Sequence, residues 1–470
     1  MRGNVFKGPE GWDLPLIALF VAMHGIILFN AICHEPGIGY DALEHLRYIE
    51  SFSTYQLPTP AQTAEFFSPP LPYLLPATLR HYGVSLWGAA KSAQLFNVGY
   101  SLLLAWVLLM ICEEMRPGER RLKWFALALL AMLPVYYRSF AFVRGEPLLA
   151  AMGVLVMHRT LRLARTDGAT AGNALALGLA LGLLVLSRQW GLLIVPPVVL
   201  FLIYQSWAGG GGMRLAGAAA AALSIGALLG GWFYLILLID HGRITAFNRD
   251  DRVSFSLANQ PAEFYFGTGG DALFAHPVRS AFPNQLFPMF YSDVWGDYWC
   301  YFDVYGRLRD PRRLISGPAL TAAVTDPAAN STLETNLPGM SRYLGRVNLV
   351  SLPSSALLLA GMSLGAIYCF RLARSSAPRH VTGGALLFLA VLWTMAGYFW
   401  FMLVFLSHGK GEAIKGTYVL QIFPFVAILG AEQLVEIWQR HARAARALTF
   451  MLAVTAAHNL PVLFTRMTLR

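Results

Sequence analysis

The sequence predicts an all-α polytopic membrane protein, and its composition and the spacing of its apolar residues carry that prediction. Hydrophobic residues make up 56% of the 470-residue chain and charged residues only 13%. The apolar residues gather into runs of about 18 to 25, the length a helix needs to cross a bilayer. The short alternating segments that build a barrel are not evident in it. Lipid offers no partner to a bare backbone N–H or C=O, so each run is expected to be helical.

Taken in order, the runs place spans near 12–33, 86–112, 123–137, 145–163, 172–187, 190–207, 215–239, 347–370, 384–406, 417–437 and 447–465, about eleven helices. Residues 1–239 then form an N-terminal transmembrane module with a first outer loop at 34–85. Residues 240–346 form a large, mixed extramembrane segment before helix 8, and 347–470 the C-terminal helices. The basic residues set the orientation. Arg116, Arg120, Arg121 and Lys123, then Arg159, Arg162 and Arg165, then Arg371, Arg374 and Arg379, then Arg440, Arg443 and Arg446 all fall in alternate loops. The positive-inside rule puts those loops in the cytoplasm, and the first loop and the 240–346 segment outside. The net charge of +10 is accounted for by these anchoring loops against anionic headgroups, and no nucleic-acid partner is implied. Arg2 and Lys7 before the first apolar run, with no A-x-A-like cleavage site, read as an uncleaved anchor. Four cysteines show no metal spacing; Cys33 and Cys300 fall on the outer side, as a pair or as free thiols.

The first outer loop carries the polar chemistry. Tyr40 to Ser53 has a helical period, with Leu43, Leu46, Ile49 and Phe52 on one side and Asp41, Glu44, His45 and Tyr48 on another, as in a helix lying on the membrane. Pro58 and Pro60 bound it, and Pro69-Pro70 start a second short helix near 71–79. Asp41, Glu44 and His45 stand at i, i+3 and i+4 and share a face. Asp41 at a helix start is favoured as the anion. The residues alone leave two readings: a general base for a hydroxyl, or a simple helix cap with His45 at the headgroups.

Asp41-x-x-x-His45 after a first span, followed by Pro69-Pro70-Leu71-x-Tyr73, resembles the GT-C superfamily of polyprenyl-phosphate-sugar glycosyltransferases. Members often read Asp-Glu-x-x-His here; Ala42 replaces the second acid, which weakens the case for a diacidic metal site. Arg144-Gly145-Glu146-Pro147 at the head of the fourth span is similar to a pattern in the same proteins, and the resemblance covers roughly the first 150 residues. It implies transfer of a sugar from undecaprenyl or dolichyl phosphate to a hydroxyl of a lipid, glycan or protein acceptor. The reaction would invert the anomeric centre on the outer face of a cytoplasmic (inner) membrane.

The implied catalytic group is Asp41, with Glu44, His45 and Glu146 in support. The departing lipid phosphate gains charge and needs cations. Arg138, Arg144, Arg188, His408, Lys410 and Lys415 lie at outer-facing ends; of these Arg188, then Lys410, are the first choices, with Arg144 and Arg138 behind. Asp293, Trp295 and Asp297, in a run of acids and aromatics that also includes Asp303, read as a sugar or acceptor platform, with Tyr73 beside it, or as an aromatic core under a long loop. No cofactor is called for. His34, His81 and His276 are too scattered for a metal site, and a divalent ion is left open. The rival class is a lipid-linked-oligosaccharide flippase or another transporter, which would place its polar residues near mid-membrane in matching halves.

Overall fold

The computed structural model describes residues 13–165, 167–208, 211–245, 247, 253–279, 281–302, 338–372, 378–405 and 411–465, without the side chains of 338–340. Lys410, His408 and Asp303 lie outside the described residues. Among those described there are helices and no strands.

The chain runs α1 (Leu14–Cys33), α2 (Ala42–Phe52), α3 (Leu71–His81), α4 (Leu86–Met115), α5 (Arg120–Ala131), α6 (Pro134–Ala141), α7 (Glu146–Leu163) and α8 (Ala171–Ser187). A 3-10 turn, Gln189–Ile194, leads into α9 (Val195–Trp207), followed by α10 (Gly212–His241). Three short helices follow: α11 (Ala262–Phe266), α12 (Ala272–Ala275) and α13 (Leu286–Trp295). The C-terminal part is α14 (Pro338–Val350), α15 (Leu352–Leu372), α16 (Arg379–Val404), a 3-10 turn Gly416–Ile422, α17 (Phe423–Arg440) and α18 (Ala442–Asn459).

Among the described residues, seven helices are long and apolar enough to cross a membrane, and an eighth span forms if the bent pair α5–α6 is one crossing. That pair turns by 64° at Met132-Leu133, just before Pro134, whose missing N–H and fixed φ favour a fresh helix start. The other three expected spans are helices that fall short of that standard. Helix α7 carries Glu146, Arg159 and Arg162, α8 has 17 residues, and α18 holds two arginines. All three pack against neighbouring helices, α8 most closely. Gly178 and Gly182 of α8 face Gly226 and Gly230 of α10, and a Cβ on Gly230 would stand 2.2 Å from Val185 Cγ2. Small residues four apart let two backbones touch, which is how helices associate where lipid is as apolar as leucine.

The 30-residue α4, about 45 Å long by its rise, links the two ends of the bundle. Near its C-terminus lie ion pairs of the basic loops, Arg116 to Glu432 at 2.6 Å and Arg162 to Glu114 at 2.9 Å. Its N-terminus meets α2 and α3. The helix α2 is covered on two sides: His45 and Tyr48 are fully buried beside Leu46 and Ile49, leaving Arg47 exposed. Tyr73 of α3 accounts for this, since its ring stacks 4.1 Å from Tyr48 and its hydroxyl lies 2.7 Å from His45 Nδ1. Residues 286–302 belong to the same apolar core as the long helices. None of the four cysteines is in a disulfide, so Cys33 and Cys300 do not pair.

Candidate active site

Asp41 occupies the N-cap of α2 without capping it. Its backbone is left-handed (φ 54°, ψ 26°) and its carboxylate makes no bond to the first turn. Gly39 sets up this turn: its φ is +145°, and a Cβ there would come 3.1 Å from the Phe142 ring. Tyr40 is then tied down by Arg144 Nη1, which donates to its carbonyl at 2.8 Å, and by its own phenol, which donates to Asp293 at 2.8 Å. The Asp41 side chain is left 41% exposed.

A chain of alternating charges runs from that carboxylate. Lys415 Nζ lies 3.4 Å and Arg144 Nη1 3.8 Å from Asp41 Oδ2. Arg144 gives Nε and Nη2 to Glu146, each at 3.0 Å. Glu146 Oε1 is 3.1 Å from Arg188 Nη2, and Arg188 Nη1 donates to Glu65 Oε2 at 2.8 Å and to Ser68 Oγ at 2.5 Å. Ser68 in turn donates to Glu65. Three acids (Asp41, Glu65, Glu146) are matched by three bases (Lys415, Arg144, Arg188). Arg188 reaches its partners only because residue 145 is glycine, since a Cβ there would stand 2.7 Å from Arg188 Cδ.

The charges tune one another. The protein packed around the partly exposed Asp41 carboxyl pushes it up, and Lys415 and Arg144 more than offset this, so Asp41 is held below the usual carboxylate range. Burial likewise opposes ionisation of Glu65, but Arg188, His45 and the Ser68 hydroxyl bring it down to about 2. Burial dominates at His45 and lowers it to about 4, so the imidazole is neutral at pH 7. Its Nε2 is buried and without a hydrogen-bond partner among the described residues. Burial disfavours the Lys415 ammonium, yet Asp41 and Tyr418 raise it above its ordinary value.

These groups open on a cavity of about 270 Å³. Its polar lining includes Asp41, Glu44, Glu65, Arg188, Gln189, Glu412 and Lys415; its apolar lining includes Trp190, Phe247, Trp400, Phe401 and Phe405. Glu44 is spent on the loop: it accepts the Thr63 hydroxyl at 3.1 Å and the Ala64 N–H at 2.6 Å and pairs with Arg47. Arg144 and Glu146 stand behind the cavity wall.

Arg138, Asp293, Trp295, Asp297 and Tyr73 are buried and do not line the cavity. Asp293 takes Arg138 Nη2 at 2.8 Å, the Tyr40 phenol, and the Gly416 N–H at 2.6 Å. Asp297 takes the N–H groups of Tyr301 and Phe302 at 3.2 and 2.8 Å, and Arg138 bridges both acids. The sequence left a platform or an aromatic core open; in the structure these residues form a buried brace, with the Arg138 guanidinium set between the two carboxylates. Glu65, Tyr40 and Tyr418 join the site without having been singled out. Glu65 had one faint signal, an acid inside an aromatic loop just before the Pro-Pro pair.

No family model and no curated protein matches the sequence. Among solved structures, the chain is similar to the oligosaccharyltransferase of Archaeoglobus fulgidus tethered with an acceptor peptide containing the NVT sequon. The two are 13% identical with a TM-score of 0.50, over 95% of this chain and 54% of that one. The archaeal enzyme AglB of that organism, in complex with an inhibitory peptide and a dolichol-phosphate, matches at 14% identity and a TM-score of 0.49 over 96% of this chain and 56% of that one. ArnT from Cupriavidus metallidurans bound to undecaprenyl phosphate matches at 16% and 0.41, over 91% of this chain and 80% of that one. The chain spans about half the length of the oligosaccharyltransferase. At these identities the likeness is one of fold, and it covers nearly the whole chain.

Proposed function

We propose that this chain is a membrane glycosyltransferase of GT-C type that moves a sugar from a polyprenyl phosphate to an acceptor hydroxyl on the outer face of a cytoplasmic membrane. One observation carries the reading: an ionised acid, Asp41, and a lysine, Lys415, line a cavity that is also rich in aromatic and leucine side chains. Such a cavity suits a substrate that is a phosphate at one end and hydrocarbon at the other. The fold likeness supports it.

In this reading the acceptor oxygen attacks the anomeric carbon from the face opposite the phosphate. The new C–O bond forms as the bond from carbon to phosphate oxygen breaks, and its electron pair leaves with the polyprenyl phosphate. The acceptor proton goes to the Asp41 carboxylate, and the phosphate passes from one negative charge to two. Lys415 meets that added charge. It takes this part in place of Arg188, whose donors are held by Glu65, Ser68 and Glu146. Arg144, locked on Glu146, keeps Asp41 ionised and oriented.

The test is transfer by the purified full-length chain from a panel of polyprenyl-phosphate sugars. Release of polyprenyl phosphate with at least one donor supports the reading. A chain that neither turns over nor binds any donor favours a transporter.

A further inference from the structure

We propose that the Asp41–Lys415 ion pair is a latch opened by the phosphate of the lipid donor, so that the donor binds before Asp41 acts as a base. The inference rests on the reaction proposed above and adds an order to it.

Charge matching in the network favours a latch. Within this network three acids face three bases, so among the described residues that form it an incoming phosphate gains a cation by taking one from an existing pair. The three cations are not equally held. Arg144 donates to Glu146 and to the Tyr40 carbonyl at 2.8–3.0 Å, and Arg188 donates to Glu65 and Ser68 at 2.5–2.8 Å. Lys415 offers three N–H donors and meets Asp41 at 3.4 Å and the Tyr418 phenol at 3.2 Å. A well-made charged bond of this type is about 2.7–2.9 Å. An anion therefore displaces Lys415 most easily.

Inversion demands the same movement. Base and phosphate sit on opposite faces of the sugar, and base to acceptor oxygen plus acceptor oxygen to anomeric carbon already sum to about 6 Å. A lysine 3.4 Å from the base must turn away from it to meet the phosphate squarely. The side chain lines the cavity while its backbone is held. The Lys415 N–H donates to the Tyr398 phenol at 2.7 Å and the Gly416 N–H to Asp293 at 2.6 Å, which fixes the main chain. The ammonium rests against the rings of Tyr40, Tyr418 and Trp299, 5.1 to 5.9 Å from their centroids, an aromatic collar that keeps attracting the cation as it moves. With Lys415 gone to the phosphate, Asp41 keeps only Arg144 and becomes a stronger base when the donor is in place.

The latch predicts an unusual binding result. In phosphatidylcholine nanodiscs, the full-length Asp41→Asn variant binds undecaprenyl phosphate about 5- to 10-fold tighter than wild type, because no ion pair has to open. Asparagine tolerates the left-handed backbone at this position, so the turn survives. Lys415→Gln binds it at least about tenfold more weakly. Undecaprenol, which lacks the phosphate, is indifferent to both changes. Asp41→Asn binding that is unchanged or weaker overturns the latch, even where Lys415→Gln folds poorly. So does displacement of the lipid by inorganic phosphate, which would make this a site for free anions. Wild type that fails to bind undecaprenyl phosphate removes the proposed reaction itself, a separate outcome from a latch that fails while the lipid still binds.

Discussion

Asp293 accepts the backbone N–H of Gly416 at 2.6 Å through Oδ2 while its Oδ1 accepts the Tyr40 phenol at 2.8 Å. One buried carboxylate therefore joins the chain neighbours of Asp41 and Lys415, although Tyr40 lies 253 positions away in sequence and Gly416 lies 123. Asp293→Asn puts an N–H₂ group against a donor and leaves the Arg138 charge without its nearer partner. Breaking a buried pair from one side costs about 3–5 kcal/mol. Equilibrium unfolding in detergent should show a loss of that size, with Asp293→Glu intermediate.

Gly145 is the position where backbone space decides the site. A Cβ there meets Arg188 Cδ and the Ser187 carbonyl, each at 2.7 Å, so Gly145→Ala pushes Arg188 off Glu65 and Glu146. Transfer activity is expected to fall by tenfold or more, about 1.4 kcal/mol at the transition state. Gly172→Ala, where nothing lies within 4 Å, should leave activity unchanged and change stability by about 1 kcal/mol or less in the favourable direction. Equal behaviour of the two variants in the transfer assay would refute the packing argument.

His45 makes stability depend on pH. Its ordinary pKa of 6.5 is lowered to about 4 in the fold, burial being the main cause. A group depressed on folding contributes fully above its unfolded pKa, and the contribution is lost as pH falls through the folded one. Wild type should therefore lose stability between pH 6.5 and 4, and Glu65, lowered to about 2, should add a second loss from its ordinary 4.5 downward. His45→Gln removes the first slope and reduces the second, since His45 is one of the groups that hold Glu65 down. Melting temperatures of the two proteins across pH 3 to 8 check this, and parallel curves would contradict it.

Much of this architecture can be read before folding. Charges at the ends of apolar runs stand out, which is why Asp41, Arg144, Glu146 and Arg188 draw notice at once. Helix α7 shows the limit: Glu146, Arg159 and Arg162 disqualify it by composition, yet its neighbours bury Glu146 while the two arginines stay partly exposed. Two acids among aromatics at 293–297 fit a sugar platform as well as a brace. Only the arrival of Arg138 between the two acids, from about 155 positions upstream, separates these readings. Glu65 has the same difficulty, since its cation is 123 positions away. Local periodicity shows which face a residue occupies; it does not show which distant charge arrives there.

The most direct measurement is the single-turnover rate of sugar transfer after a polyprenyl-phosphate sugar has been bound to saturation. Wild type should complete the turnover, and Asp41→Asn should slow it by about 10²- to 10⁴-fold with the donor still bound, the range a positioned general base supplies. A variant that transfers at the wild-type rate would contradict the assignment of Asp41 as the proton acceptor.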